Sequence, residues 1–228
     1  SIDTAFDNFL IICGKGNNGG DGYAIARQLV SLNKQVRIFS CETFGTSPDC
    51  QTNYDICKNL EIPVENDISE LHELLISADV VIDAVFGTGL NKAPTAPYDE
   101  IIRLINQYGR YIISVDIPSG INGTTGETAG FHVRADETVS FVTYKQGFLN
   151  YNIFQFLGKI KIVNIGIPEY IIKKFSSMVL MDKKYINSLL IPRLEYSHKG
   201  NFGHTLVIAG SPGFTGAAVI SSGAAVKS

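Results

Sequence analysis

The 228-residue sequence has no surplus of positive charge, since 19 lysines and arginines stand against 22 acidic residues. Nucleic-acid-binding domains carry a basic face, so nucleic acid is not expected as a partner. No apolar run reaches the roughly 20 residues needed to span a bilayer, and no basic segment leads into an apolar one at the start. Neither a membrane partner nor a secretory leader is therefore expected. The four cysteines (Cys13, Cys41, Cys50 and Cys57) form no CxxC pair, which points to reduced thiols and a cytoplasmic compartment. His72, His132, His198 and His204 show no metal-ligand spacing, and none is assigned a catalytic role. With 45% hydrophobic and 18% charged residues, the composition is that of an ordered globular chain.

Against these absences one stretch stands out, FLIICGKGNNGGDG from Phe9 to Gly22. Phe9 to Cys13 is an unbroken apolar run, as expected of a strand covered on both faces of a parallel sheet. Gly14, Gly16, Gly19, Gly20 and Gly22 follow it, and Ile25, Leu29 and Leu32 then recur at helical spacing. Glycines in such a strand-to-helix turn let backbone N–H groups approach an anion, and the helix N-terminus adds positive potential. This pattern is that of a nucleotide site.

Strand and helix signals alternate down the chain. Strands are expected at Gln35–Ser40, Asp79–Ala84, Tyr111–Asp116, Glu137–Val142 and Lys159–Val163. Helices are expected near Asp49–Leu60, Ile68–Ser77 and Tyr98–Tyr108. The alternation predicts an α/β fold with a doubly wound, mainly parallel, Rossmann-like sheet and helices on both faces. Polar glycine-rich loops follow Cys13, Ala84 and Val115, all at the carboxyl ends of strands where such sheets bind ligands. The aromatic cluster Phe141, Tyr144, Phe148, Tyr151, Phe154 and Phe156 reads as core and interface packing. Lys173, Lys174, Lys183 and Lys184 read as part of a solvated linker.

Gly14-Lys15-Gly16-Asn17-Asn18-Gly19 satisfies G-x-G-x-x-G, a weak signal by itself. A conventional dinucleotide site also wants an acidic residue after the second strand, and only Glu42 lies near. A nicotinamide-dependent oxidoreductase and a non-catalytic nucleotide-binding or scaffold module of the same fold both remain open on these features.

The run GKGNNGGDGYAIARQL resembles the signature of the NAD(P)H-hydrate epimerases, the N-terminal half of two-domain nicotinamide nucleotide repair proteins. DVVIDAVFGTGL, SVDIPSGINGTTGE and DETVSFVTYKQGF are similar to that family's later motifs, in the same order. The resemblance covers about Phe9 to Ile167 and lacks the family's N-terminal helical segment. It implies an isomerase that interconverts the R and S forms of hydrated NADH or NADPH (NADHX, NADPHX). By the same resemblance Asn17, Asn18, Gly19, Gly20 and Asp21 would surround the substrate. Gly87, Thr88, Gly89, Leu90, Asn91, Lys92, Ala93 and Asp116 would contact it too. A potassium ion is implied at Asn18, Asp83 and Ser119, whose hard oxygen donors suit such a cation. Asp116 is the first candidate for the proton-transfer group and Lys145 the second. A homo-oligomer is expected.

The epimerase-like domain is expected over residues 1–168, with a linker over 169–195. Over 196–228, the segment from His198 resembles the opening of an ATP- or ADP-dependent NAD(P)H-hydrate dehydratase, a ribokinase-like α/β domain. A strand is expected at Thr205–Ala209 and a helix after it, and the parent polypeptide is expected to be longer and bifunctional, with a lyase activity in that second domain.

Overall fold

The computed structural model describes residues 6–42, 47–90, 93–128, 130–176, 178–190, 196, 200 and 203–227. The chain divides into two compact units, Ser1–Phe175 and Ser176–Ser228, each treated separately below.

Seven strands build the first unit: β1 (Asn8–Cys13), β2 (Gln35–Ser40), β3 (Val64–Glu65), β4 (Val80–Ala84), β5 (Ile112–Val115), β6 (Glu137–Phe141) and β7 (Lys159–Val163). They form one sheet in the order β3-β2-β1-β4-β5-β6-β7, and every pairing is parallel. The helices are α1 (Asn17–Ser31), α2 (Pro48–Asn59), α3 (Leu71–Ser77), α4 (Tyr98–Tyr108), the short α5 (Phe154–Leu157) and α6 (Glu169–Phe175). The expected Rossmann-like fold is present.

Side chains alternate along β1, and that alternation builds two layers. Phe9, Ile11 and Cys13 pack with Tyr23, Ala26 and Leu29 of α1 and with Cys50 and Cys57 of α2. Leu10 and Ile12 pack instead with Leu71, Leu74 and Leu75 of α3 and with Ile101, Ile102 and Ile105 of α4. Because both faces are covered, β1 reads as continuous apolar sequence; full burial of Ile11 or Ile12 is worth about 2–3 kcal/mol each. A smaller cluster of Ile117, Ile121, Phe148, Ile153 and Leu157 underpins the segment after β5.

Strand β3 is two residues long at the sheet edge and has no periodic signature in the sequence. Two 3-10 turns, Gln146–Leu149 and Tyr151–Ile153, lead into α5 in a stretch to which the sequence reading assigned no element. Of the aromatic cluster there, Phe148 is buried, whereas Tyr144, Tyr151 and Phe154 are exposed.

In the second unit α7 (Lys183–Leu189) is capped by Asp182, whose carboxylate accepts from the Tyr185 N–H at 2.7 Å. Together α6 and α7 make helical much of what reads as linker. Helix α8 (Gly216–Lys227) is present as expected. Residues 205–209 form no strand, and Leu206 and Ile208 are exposed. A strand exists only where a neighbour takes its backbone hydrogen bonds, and among the described residues of this unit no strand pairs with that segment.

Candidate active site

Strand order reverses between β1 and β4, and the glycine-rich loops after β1, β4 and β5 all leave the same, carboxyl edge of the sheet. That reversal is where doubly wound sheets hold ligands. A cavity of about 320 Å³ opens instead at the opposite edge, lined by Asn8, Gln35, Arg37 and Ser77 among others, and contains none of the sequence-derived candidates.

Backbone contact locks the first two loops together. The Gly14 N–H donates to the Ala84 carbonyl at 3.0 Å. A methyl group on Gly14 would collide with the Val85 carbonyl, and one on Gly19 with the Gly14 carbonyl. One on Gly22 would lie 2.7 Å from both Ala84 Cβ and Cys13 Sγ. These glycines thus permit loop-to-loop and helix-to-sheet approach that no larger residue allows. Gly14→Ala should destabilise the fold by about 2 kcal/mol and lower Tm by roughly 5 °C in a thermal melt. An unchanged Tm would mean that the two loops are free to separate.

Helix α1 begins at Asn17 with no side-chain cap and no acidic residue in its first turn, so its N-terminal N–H groups and dipole face the loops unneutralised. Asn17 and Asp21 are exposed, whereas Asn18, Gly19 and Gly20 are buried. The Asn18 carboxamide nitrogen is buried without a partner. A methyl group on Gly87 would touch the Asn18 side chain at 3.4 Å, so the loop after β4 lies directly against it.

Register places Asp83 opposite Ser114, on adjacent parallel strands. The Asp83 carboxylate is wholly buried and accepts four hydrogen bonds. Oδ2 takes the Ser114 hydroxyl at 2.8 Å and the Ser119 N–H at 2.9 Å. Oδ1 takes the Ser119 hydroxyl at 2.5 Å and the Val85 N–H at 3.3 Å. Burial pushes this carboxyl up, and the hydrogen bonds from Ser119, Ser114 and Val85 pull it back. Ser119 Oγ also accepts from the Phe86 N–H at 2.8 Å, tying the loop after β5 to the loop after β4. Ser114 was not anticipated; its one signal is a hydroxyl inside an otherwise apolar strand.

Asp116 follows β5 directly and has φ +65°. The Ile117 N–H bonds to the Val115 carbonyl at 2.8 Å, closing a tight turn centred on Asp116. Its Oδ1 meets Lys145 Nζ at 2.7 Å, the Phe141 N–H at 3.1 Å and the Ser140 hydroxyl at 3.3 Å. Among the described residues no donor reaches Oδ2. One oxygen is clamped and the other carries no hydrogen bond among the described residues. The turn after β6 repeats this geometry, with Val142 at φ +69°. Positive φ in a β-branched residue is strained, a feature that gathers at functional sites. Desolvation, and secondarily the charge of Asp116, push the Asp21 carboxyl above its ordinary value.

The expected residues therefore form two groups. Asn18, Gly87, Asp83 and Ser119 are chained through the loops after β4 and β5; Asp116 and Lys145 are paired, with Asp21 in electrostatic range of Asp116. Thr88, exposed in the β4 loop, lies 3.1 Å from where a methyl on Gly123 would stand. Gly89 is exposed, Leu90 is half-buried and Ala93 is exposed. Asn91 and Lys92 lie outside the described residues.

Among the described residues no cationic side chain lies within ion-pair range of the buried Asp83 carboxylate; with the Ser119 hydroxyl and the amide oxygen of Asn18 it makes a set of hard oxygen donors that fits a monovalent cation. Among the described residues no cluster of three His, Cys, Asp or Glu side chains could hold a metal ion. No described helix is long and apolar enough to cross a membrane.

Comparison with known proteins places the chain in context. A repair enzyme of Coxiella burnetii, named bifunctional NAD(P)H-hydrate repair enzyme Nnr, is 33% identical over 219 residues, which are 95% of this chain and 44% of that protein. The protein of the same name from Thermofilum pendens is 36% identical over 226 residues, covering 95% and 42%. The chain thus spans less than half the length of these curated relatives. The crystal structure of yeast ynu0 (YNL200c) superposes with a TM-score of 0.64 at 21% identity, over 80% of this chain and 77% of that one, which confirms the fold. The family model described as "YjeF-related protein N-terminus" matches residues 2–147, and the chain belongs to that family.

Proposed function

We propose that this chain is an NAD(P)H-hydrate epimerase that interconverts the R and S forms of NADHX and NADPHX for metabolite repair. The observation that carries the reading is Asp116, clamped through Oδ1 by Lys145 with Oδ2 unbound, on the ligand-binding edge of the sheet. The relatives named as NAD(P)H-hydrate repair enzymes supply the substrate class.

The uncapped N-terminus of α1 receives the anionic linkage of the dinucleotide. Asn17, Asn18, Gly19, Gly20 and Asp21 then lie along it, with Gly87, Thr88, Gly89, Leu90 and Ala93 on the facing loop. Inverting C6 means breaking its bond to the hydroxyl, or opening the ring, and re-forming the bond on the other face. A proton must be given to the departing oxygen and taken from the returning one. Lys145 Nζ gives it and Asp116 Oδ2 takes it, and their ion pair returns the proton between the two at the end of the cycle. Potassium would be held by Asn18, Asp83 and Ser119 and would supply one fixed positive charge beside the anionic substrate.

We infer that a full-length protein of this family would also dehydrate the S form with ADP or ATP, a reading that the relatives' name, bifunctional repair enzyme, supports. The four free cysteines suit a cytoplasmic setting.

The test follows purified S- and R-NADHX by chromatography with this chain, in potassium and in the same concentration of lithium. Interconversion faster than the spontaneous rate, and a Tm a few degrees higher in potassium, are the expected results. A wild-type protein that leaves the spontaneous rate unchanged in both salts removes the epimerase reading, and equal Tm values remove the ion.

A further inference from the structure

We propose that Glu42, held by Tyr98 and Lys15, reads the adenosine ribose and makes this chain select the substrate lacking a 2′-phosphate, NADHX over NADPHX. The inference rests on the dinucleotide reading above and extends it to a residue outside the proton-transfer and ion-holding groups.

Geometry fixes which end of the ligand lies where. The α1 N-terminus stands after β1, between two halves of the sheet. Asp116 and Lys145 follow β5 and β6 on one side, so the nicotinamide end lies there. A dinucleotide bound through its linkage at α1 must extend its other ribose over the opposite half, beyond the end of β2. Glu42 occupies that position, two residues past Ser40, the last residue of β2, and about twenty residues after Gly19.

Three observations show a prepared acceptor there. Tyr98 Oη donates to Glu42 Oε1 at 2.7 Å, reaching from the start of α4 across the loops. The Tyr98 ring is itself set against Phe86, with centroids 4.7 Å apart, in the loop that meets Asn18. The Ser40 hydroxyl donates to the Glu42 carbonyl, and Tyr23 Oη lies 2.7 Å from Ser40 Oγ, so the backbone is held from beneath. Both named side-chain contacts fall on Oε1, and a carboxylate has a second oxygen with which to accept a ribose hydroxyl.

Charge then sets the selectivity. A ribose 2′-hydroxyl donates to a carboxylate, whereas a 2′-phosphate brings a second anion against it, and like charges at contact are strongly unfavourable. Lys15 Nζ, 3.5 Å from Oε1 and half-exposed, partly offsets Glu42. Without the carboxylate, the Lys15 charge is no longer opposed at this contact and favours a 2′-phosphate beside it. Glu42 and Lys15 therefore work in opposite directions on one atom of the ligand.

The experiment titrates the whole chain with NADH and NADPH by calorimetry, and runs the NADHX interconversion assay on the same preparation as an independent measure of the epimerase reading. Wild type should bind NADH about tenfold tighter than NADPH. Glu42→Gln should bring that ratio to about one or below through a gain in NADPH binding, and adding Lys15→Gln should remove the gain. Lys15→Gln alone, at an exposed position that should not disturb folding, should widen the wild-type ratio. A general packing role for Glu42 would weaken both ligands together and leave the ratio fixed. Equal binding of the two dinucleotides by wild type overturns the inference, as does binding of neither, or a ratio unmoved by Lys15→Gln. Interconversion of NADHX with no NADH preference sinks Glu42's role while the epimerase reading stands.

Discussion

Asp116→Asn is expected to slow the interconversion of S- and R-NADHX about a thousandfold, close to the spontaneous rate. Asparagine is the informative replacement because it tolerates positive φ, and Asp116 sits at φ +65°. Its amide oxygen can still accept from the Phe141 N–H and the Ser140 hydroxyl, so the turn after β5 should survive. What disappears is the basic oxygen and the partner of Lys145, whose side chain and that of Asp116 are only 17% and 14% exposed. An ammonium so enclosed loses its compensating charge. Lys145→Met should cost less, about a hundredfold, because solvent can replace a proton donor more readily than a positioned base. The variant should bind NADH within a few-fold of wild type, which separates chemistry from binding. An Asp116→Asn enzyme within tenfold of wild type would assign the proton transfer to another group, with Asp21, a carboxyl in electrostatic range, the next candidate.

How much of this was legible depends on whether the relevant physics is local. Strand β1 announces itself because a strand covered on both faces needs apolar residues throughout, and Phe9 to Cys13 supplies them. The three glycine-rich loops are legible for a similar reason, since each is a polar break directly after such a run. Asp83 and Asp116 were singled out through the family resemblance, with which their places at strand ends agree. The partnership of Asp83 with Ser114 was not visible, because it is created by the register of β4 against β5, and no local pattern encodes register. Lys145 was singled out by family resemblance alone, and its contact with Asp116 was not anticipated. The structure adds the reason, a 3-10 turn at Gln146–Leu149 whose Phe148 packs with Ile117, Ile121, Ile153 and Leu157 and so fixes the lysine just ahead of it. Residues 205–209 show the converse failure: the apolar run is strand-like, but strand formation is a property of pairs.

Asp83→Ala should produce the largest loss of stability of any single change at the site, about 4 kcal/mol, and lower Tm by roughly 12 °C. The argument is one of counting. Removing the carboxylate strands two backbone N–H groups, of Val85 and Ser119, and two hydroxyls, of Ser114 and Ser119, in a region where Asp83, Ser114 and Ser119 are each 0% exposed. Each orphaned donor costs about 1–3 kcal/mol, and the hydroxyls recover part of that by turning; Ser119 still has the Phe86 carbonyl at 3.3 Å. Asp83→Asn should cost less, about 2 kcal/mol, for a geometric reason. The two backbone N–H groups point at different oxygens, Ser119 at Oδ2 and Val85 at Oδ1, and an amide has only one oxygen to offer. Both variants should lose the extra thermal stability expected of the wild type in potassium, because the only buried formal charge among the proposed ligands is gone. Melts of the three proteins in potassium and in lithium decide the matter. A Tm for Asp83→Ala within 2 °C of wild type would mean that solvent reaches these donors, and a potassium response surviving in Asp83→Ala would place the ion elsewhere.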